Sequence, residues 1–575
     1  MNCLQPVCCM AIIMAASIPA VDAATILFVP QDNRPVSFSY TVNTATAAGY
    51  DVITPPENLL SDNSYEGAPD RVWEWVNANV DRADALVLST DTLIYGGLVD
   101  SRKHNFSLAQ LEKRLQALIH LARTHHMPIY AFGTIMRSPK ASDGSVEPFY
   151  YADYGPKIYE ITYWQDKRDT QGLSPAESAK LLSLTMSVPI EYLQDWFRRR
   201  TKNNVINERL IALAAGGDLT YFCLGHDDTS TFSQSTLESR YLMHHAEGIP
   251  PTRYGSFPGA DQLGLLLIAR YDVDRTGAAP RFKVIYPLGG ADRTMPHYEN
   301  QSAGETISDH IRAVGGTISD NARPDILLAV NTPLSNVTGE SAAFKNLSMP
   351  RKSASLFLNR IEDALHRDIP VSIADIFYSN GADNTLLEEM SRKDLLFQVT
   401  AYNGWNTASN TIGYAIAQAV LARHMTPAAH ERMLIEQYLD NWGYQANVRK
   451  DIYRKQDEIR TDNVKYYGEL NTHLEEIMVD EIQQFAESRL HINPRRVFAR
   501  FPWKRLFETE ILVADSPIYP RMSDVFAERQ KMEEERLRLA REAEAKKAAE
   551  ATDAHNAEKT PSQTKPATEP PTNPR

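Results

Sequence analysis

Acidic side chains close several short apolar runs in this 575-residue chain, and the groups beside them are of types that bind polar ligands or move protons. His226-Asp227-Asp228 ends one run. Two adjacent carboxylates beside an imidazole suit a divalent cation, or a division of acid and base roles. On an extended segment the two carboxylates point opposite ways, so one of them is enough to face a site. Asp91 ends another run and is followed by Gly96-Gly97 and Arg102. It reads equally as a helix N-cap. Asp32 and Arg34 sit before Pro35, where the guanidinium fork is shaped for a carboxylate or phosphate. The plainer alternative is an Asp–Arg pair bracing a turn. Asp261 is as readily a helix cap as a functional acid. Asp375 and Asp383 come late, where α/β folds often collect ligand-binding groups. Trp405, Asn406 and Asn410 open a helical pattern: a ring that stacks on a sugar, beside amides that meet hydroxyls.

Glycoside hydrolysis needs an acid paired with a base or nucleophile, both usually Asp or Glu. The expected pair is Asp91 and Asp228, with Asp375 as substitute. Asp32, Arg34, Arg102, Asp383, Trp405, Asn406 and Asn410 are then the expected substrate-binding residues. This reading needs no cofactor and takes a glycan or small polar molecule as substrate. A second reading is a metal-dependent amide or phosphoester hydrolase using His226, Asp227, Asp228 and Asp292. Such oxygen-rich ligands favour magnesium, calcium or manganese as the divalent cation. Zinc is disfavoured, because no His-x-x-x-His or Glu-x-x-His pair lies nearby. A third reading is a non-catalytic periplasmic binding protein. The chain has no Gly-x-Ser-x-Gly elbow, Walker loop or Gly-x-Gly-x-x-Gly fingerprint, which argues against serine hydrolases, NTPases and dinucleotide enzymes.

The elements that must position these residues follow from the apolar pattern. Strands are expected at 26–29, 85–88, 129–132, 219–224, 282–286, 326–330, 371–373 and 396–401, separated by amphipathic stretches such as 108–122, 205–215, 304–314 and 355–366. The fold class is therefore α/β with largely parallel strands and flanking helices. Eight strands fit a closed barrel, and they fit two doubly wound halves equally well. The expected regions are 24–249, with an aromatic-rich helical insertion near 140–215, and a second α/β region over 250–425. A helical region at 426–523 packs back on the core. A charged helix and a disordered tail fill 524–575.

A net charge of −13 removes the Lys and Arg excess that nucleic-acid binding requires. Met1 to Ala23 contain no Lys or Arg and carry the apolar run Met10 to Ala16 before small residues. This reads as a secretory signal peptide cleaved near Ala23, too short to span a bilayer, so a periplasmic or secreted protein with no stable membrane span is expected. Cleavage removes Cys3, Cys8 and Cys9 and leaves Cys223. An intramolecular disulfide and a Cys-based zinc site are then both impossible. Cys223 lies inside an apolar run, as a small buried hydrophobe would.

Taken together, Pro-Gln-Asp-Asn-Arg-Pro, Ser-Thr-Asp-Thr-Leu-Ile-Tyr-Gly-Gly-Leu-Val, His-Asp-Asp, Gly-Ala-Asp-Gln-Leu-Gly, Asn-Gly-Ala-Asp and Tyr-Asn-Gly-Trp-Asn-Thr-Ala-Ser-Asn-Thr-Ile-Gly resemble an uncharacterised bacterial family, domain of unknown function 4127. The resemblance runs from about Ile26 to Glu508 and includes Phe-Pro-Trp-Lys-Arg-Leu-Phe-Glu. Gln31 departs from the Pro-Leu-Asp expected in the first motif, while Asp32, Arg34 and Pro35 match. The resemblance implies a shared fold and site and carries no reaction with it.

Overall fold

The computed structural model describes residues 23–320, 323–343, 345–461 and 467–558. Within them the apolar runs form two open, all-parallel sheets. The first contains β1 (Thr25–Val29), β2 (Asp51–Ile53), β3 (Ala85–Ser89), β4 (Ile129–Ile135), β5 (Tyr221–His226) and β6 (Tyr254–Pro258), in the order β2-β1-β3-β4-β5-β6. The second contains β7 (Arg281–Ile285), β8 (Thr317–Ile318), β9 (Ile326–Asn331), β11 (Val371–Asp375) and β13 (Ala401–Asn403), in the order β8-β7-β9-β11-β13. Interleaved with the strands of the second sheet in the chain, β10 (Gly339–Glu340) and β12 (Tyr378–Ser379) form a separate short parallel pair. Both large sheets place their second strand outside their first and continue from the other side. That is the doubly wound order, and it replaces the barrel alternative.

Two expectations shift. The strand expected over 396–401 forms at Ala401–Asn403. The division expected at 249/250 falls one strand early, because β6 pairs with β5 and completes the first sheet. The run from Tyr254 to Pro258 holds one aliphatic-free stretch around Gly255 and Ser256, so its apolar signal is weak.

The strands alternate as a sheet covered on both faces requires. Ile26, Phe28, Ala85 and Val87 enter one core; Leu27, Val29, Leu86 and Leu88 enter another. The first core also takes Leu328 and Val330 from β9 and Ala374 from β11, so it is continuous across both sheets. Two helices fill it, Leu263–Thr276 and Ala408–Ala422. The first is buried through Val273 and the second through Leu421, as helices that are apolar all round must be. They approach closely at Gly413, where a Cβ would stand 2.3 Å from the Gln262 side chain.

After β13 the described residues up to Leu490 are largely helical, with a π-helical stretch at Tyr438–Val448. β14 (Val497–Arg500) and β15 (Glu510–Val513) then pair antiparallel. The chain divides into two contact units, one ending at Pro517 and the other Ile518–Arg575. The second unit contains the exposed helix Met522–Glu558, laced by pairs such as Arg538–Glu542 at 2.8 Å. This helix occupies the first part of the region expected to hold a charged helix and a disordered tail. The rest of the tail expected to be disordered, and the expected signal segment up to residue 22, lie outside the described residues. No helix among the described residues is long and apolar enough to cross a membrane.

Candidate functional site

Parallel strands leave their C-terminal ends at one edge, and the loops that follow converge there. In the first sheet those connections follow β1, β3, β4, β5 and β6. They meet residues after β13, and the connection between β14 and β15, around a cavity of about 680 Å³.

The loop after β5 supplies the acids. Asp227 accepts from Arg102 Nη2 at 2.5 Å. Asp228 accepts from Arg137 Nη1 at 3.0 Å. Its φ of +32° is one that a non-glycine residue adopts only when its surroundings hold it there. Burial at the inner wall and the neighbouring Asp227 charge push the Asp228 carboxyl up from the usual Asp range, against the pull of Arg137 and Arg102. Glu147 links the two arginines: Oε1 accepts from Arg137 Nε at 2.5 Å and lies 3.4 Å from Arg102 Nη1. Asp227, Arg102, Glu147, Arg137 and Asp228 thus form a ring of alternating charge, closed by the peptide bond between the two aspartates.

A second charged group lies on the loops after β1 and β6. Arg34 Nη2 donates to Asp261 Oδ1 at 2.6 Å, and Arg34 Nε donates to Asp32 at 2.9 Å. Asp261 is not a helix cap: the N-cap of Leu263–Thr276 is Gln262. Asn410 positions this loop by accepting the backbone N–H groups of Ala260 and Asp261, each at 3.2 Å. Asn406 and Asn380 adopt φ of +56° and +60°, a conformation asparagine tolerates better than most residues, and both line the cavity. Behind this wall Glu299 accepts the Ser409 N–H at 2.5 Å, at the start of Ala408–Ala422. Burial pushes the Glu299 carboxyl up to about 7.

The β14–β15 connection closes another side. Trp503 Nε1 donates to Asn33 Oδ1 at 2.6 Å, and its ring lies under the guanidinium groups of Arg34 at 5.4 Å and Arg505 at 4.7 Å. Phe507 packs edge-on against Trp405 at 6.0 Å.

Of the residues singled out in the sequence, Arg34, Arg102, His226, Asp227, Asp228, Asp261, Asn406 and Asn410 line this cavity. The others lie elsewhere. Asp91 is sealed beneath, accepting from the Thr134 hydroxyl at 2.7 Å, and burial pushes it up to about 7. It occupies the first turn of a short helix whose N-cap is Ser89, so it is neither that cap nor a cavity acid. Asp32 stays behind Arg34 as its brace. Asp375 and Asp383 form a separate buried cluster at the ends of the second sheet. Asn331 donates to both, at 2.8 and 3.0 Å, and Tyr402 donates to Asp375 at 3.0 Å. Asp383 also pairs with Arg351 and caps Asn384–Arg392. Trp405 is a core side chain; the tryptophan on the cavity wall is Trp503.

The four residues of the metal reading do not converge. Asp227 and Asp228 are held by arginines. His226 Nε2 is shared with the Ser256 hydroxyl at 2.8 Å, and burial holds this imidazole down at about 4. Asp292 is exposed on a short turn outside the cavity lining. Among the described residues no group of three or more His, Cys, Asp or Glu side chains is arranged to hold a metal ion. Cys223 is free and buried.

Arg137, Lys140, Glu147, Glu299, Trp503 and Arg505 escape a search for acidic strand ends. The first two lie on the loop after β4, which carries bases where the search looked for acids. Comparison with known proteins finds one family model, described as Protein of unknown function (DUF4127), that matches residues 26–512. No curated protein and no solved structure matches the chain.

Proposed function

The chain belongs to the DUF4127 family, whose model spans both sheets and the β14–β15 connection, and on that premise we propose that it is a hydrolase of glycans or related polar substrates acting through Asp228. The observation that carries this reading is the unequal treatment of two adjacent carboxyls. Each carboxyl meets an arginine, Asp227 with Arg102 at 2.5 Å and Asp228 with Arg137 at 3.0 Å, and burial beside the Asp227 charge pushes the Asp228 carboxyl up from the usual Asp range. A carboxyl raised above the usual Asp range beside a second carboxyl in one cavity is the arrangement that general acid catalysis of glycoside cleavage uses.

In this reading Asp228 gives its proton to the departing glycosidic oxygen. Asp261, held by Arg34 on the loop of the neighbouring strand, is the carboxylate that faces the developing positive charge or activates water. Asn380, Asn406 and Asn410 offer amides to hydroxyls, and Trp503 and Phe507 offer apolar faces to a ring. The volume of about 680 Å³ falls in the range of small-molecule sites and suits a short oligosaccharide segment. Export, supported by the apolar N-terminal run, would place the enzyme where envelope glycans are met.

The test is release of reducing ends from a panel of bacterial envelope polysaccharides. Asp228→Asn removes the acid without changing shape. Turnover by the natural chain and its loss by about 10²-fold or more in the variant is the expected outcome. Equal turnover by both proteins removes Asp228 from the chemistry.

A further inference from the structure

The cavity holds more cationic donors than its own acids engage. Arg34 spends Nε and Nη2 on Asp32, Asp261 and Ser37, and Nη1 meets no acceptor among the described residues. Arg137 spends Nε on Glu147 and Nη1 on Asp228, and Nη2 meets none among the described residues. Arg505 spends Nε and Nη2 on Glu508, leaving Nη1. Lys140 lines the cavity, is exposed, and forms no ion pair or hydrogen bond among the described residues. None of these four donor groups is a buried atom left without a partner, so each is open to the cavity or to solvent.

A ligand that fills the cavity strips water from these donors. Buried guanidinium groups left without acceptors cost several kcal/mol on general grounds, so a good ligand must bring acceptors to them. Hydroxyls can accept, but an ionised oxygen forms bonds about twice as strong and matches the planar fork of arginine. Asp227, Asp228 and Asp261 are each already tied to their own arginine, and Asp143, the remaining cavity acid, accepts from Ser145 and meets Arg137 and Arg505 only through its charge.

We propose that the substrate of this cavity is an anionic sugar, bearing a carboxylate, sulfate or phosphate that is received by the open donors of Arg34, Arg137 and Lys140. This rests on the hydrolase reading only for the word sugar; the charge follows from the donors. Lys140 is the discriminating residue. It leaves β4 three residues after Arg137, it is not part of the alternating ring, and its ammonium has no other evident duty.

Binding to the full-length protein is measured by calorimetry at one fixed ionic strength with four probes: glucose, glucuronate, glucose 6-sulfate and glucose 6-phosphate. At least one charged sugar is expected to bind about tenfold more tightly than glucose, the equivalent of about 1.4 kcal/mol. The charged sugar that wins identifies which anionic group the site takes. Lys140→Ala is expected to lose most of that advantage, and Lys140→Arg to keep it. Equal binding of all four probes, or none, overturns the proposal, as does an unchanged preference in Lys140→Ala. The measurement involves no turnover. A charged sugar that binds but is never cleaved would leave this inference standing while the hydrolase reading falls.

Discussion

Glu147 accepts from Arg137 at 2.5 Å through the same oxygen that faces Arg102, so one buried carboxylate governs two guanidinium groups that hold the paired aspartates. Glu147 is fully buried, and its other oxygen has no protein partner. Its charge tempers how strongly the arginines pull on Asp227 and Asp228.

Glu147→Gln keeps the shape and removes that charge. Arg137 and Arg102 then act undiluted on Asp228 and favour its ionised form. Asp228 loses its proton at lower pH than in the natural chain. The alkaline limb of kcat/KM against pH is therefore expected to move to lower pH. An unmoved limb means that Glu147 only packs.

Asp91→Asn separates the strand-end acid found in the sequence from the acid found in the cavity. Asp91 accepts from Thr134 and Gln31 and does not line the cavity. Its variant is expected to keep turnover within about twofold, since no group that touches substrate changes. Loss of turnover comparable with Asp228→Asn would return Asp91 to the chemistry.

Stability should fall as pH rises from 6.5 to 8. Burial pushes Asp91, Asp375, Asp440 and Glu299 up to about 7 and Glu436 up to about 8. Unfolded, these groups titrate near 4. The folded state therefore holds more protons across that window, and deprotonation works against it. Burial holds His104, His226 and His310 down at about 4, against about 6.5 when unfolded. Their effect has the opposite sign: it favours folding above pH 6.5 and is lost as pH falls toward 4. Above 6.5 the histidine effect fades within about one pH unit and the five carboxyls outweigh it, so urea midpoints should decline from pH 6.5 to 8. Glu436→Gln should flatten that decline, and a flat profile in the natural chain contradicts the assignment.

Trp503→Ala should cost about 3–5 kcal/mol, the usual range for a buried tryptophan. The ring is 3% exposed, is flanked by two arginines and is tied to Asn33. Limited proteolysis should then cut the 501–509 connection faster than in the natural chain. Unchanged cleavage would mean the segment is held by β14 and β15 alone.

Much of this fold is legible from apolar runs, because parallel strands buried on both faces need them. Ile26–Val29 and Ala85–Leu88 show the pattern plainly. Asp51–Ile53 and Tyr254–Pro258 do not: one is three residues long and the other carries Gly255 and Ser256. Barrel and doubly wound sheets use the same strand, helix and strand units, so only pairing separates them. The site was half legible. Asp227, Asp228 and Arg34 stand at strand ends, where acids and a guanidinium are conspicuous. Glu147 lies in a long insertion, and Trp503 reaches Asn33 across 470 positions of sequence. No local spacing encodes either contact. Asp375 shows the converse: a strand-end acid whose partners, Asn331 and Tyr402, make it part of a separate buried cluster.

The most direct test is glycan hydrolysis by the natural chain, Asp228→Asn and Asp91→Asn side by side, with folding checked by thermal melting. Cleavage by the natural chain and by Asp91→Asn, with loss of about 10²-fold or more in a folded Asp228→Asn, is the predicted result. Cleavage by a folded Asp228→Asn at the natural rate would contradict the account.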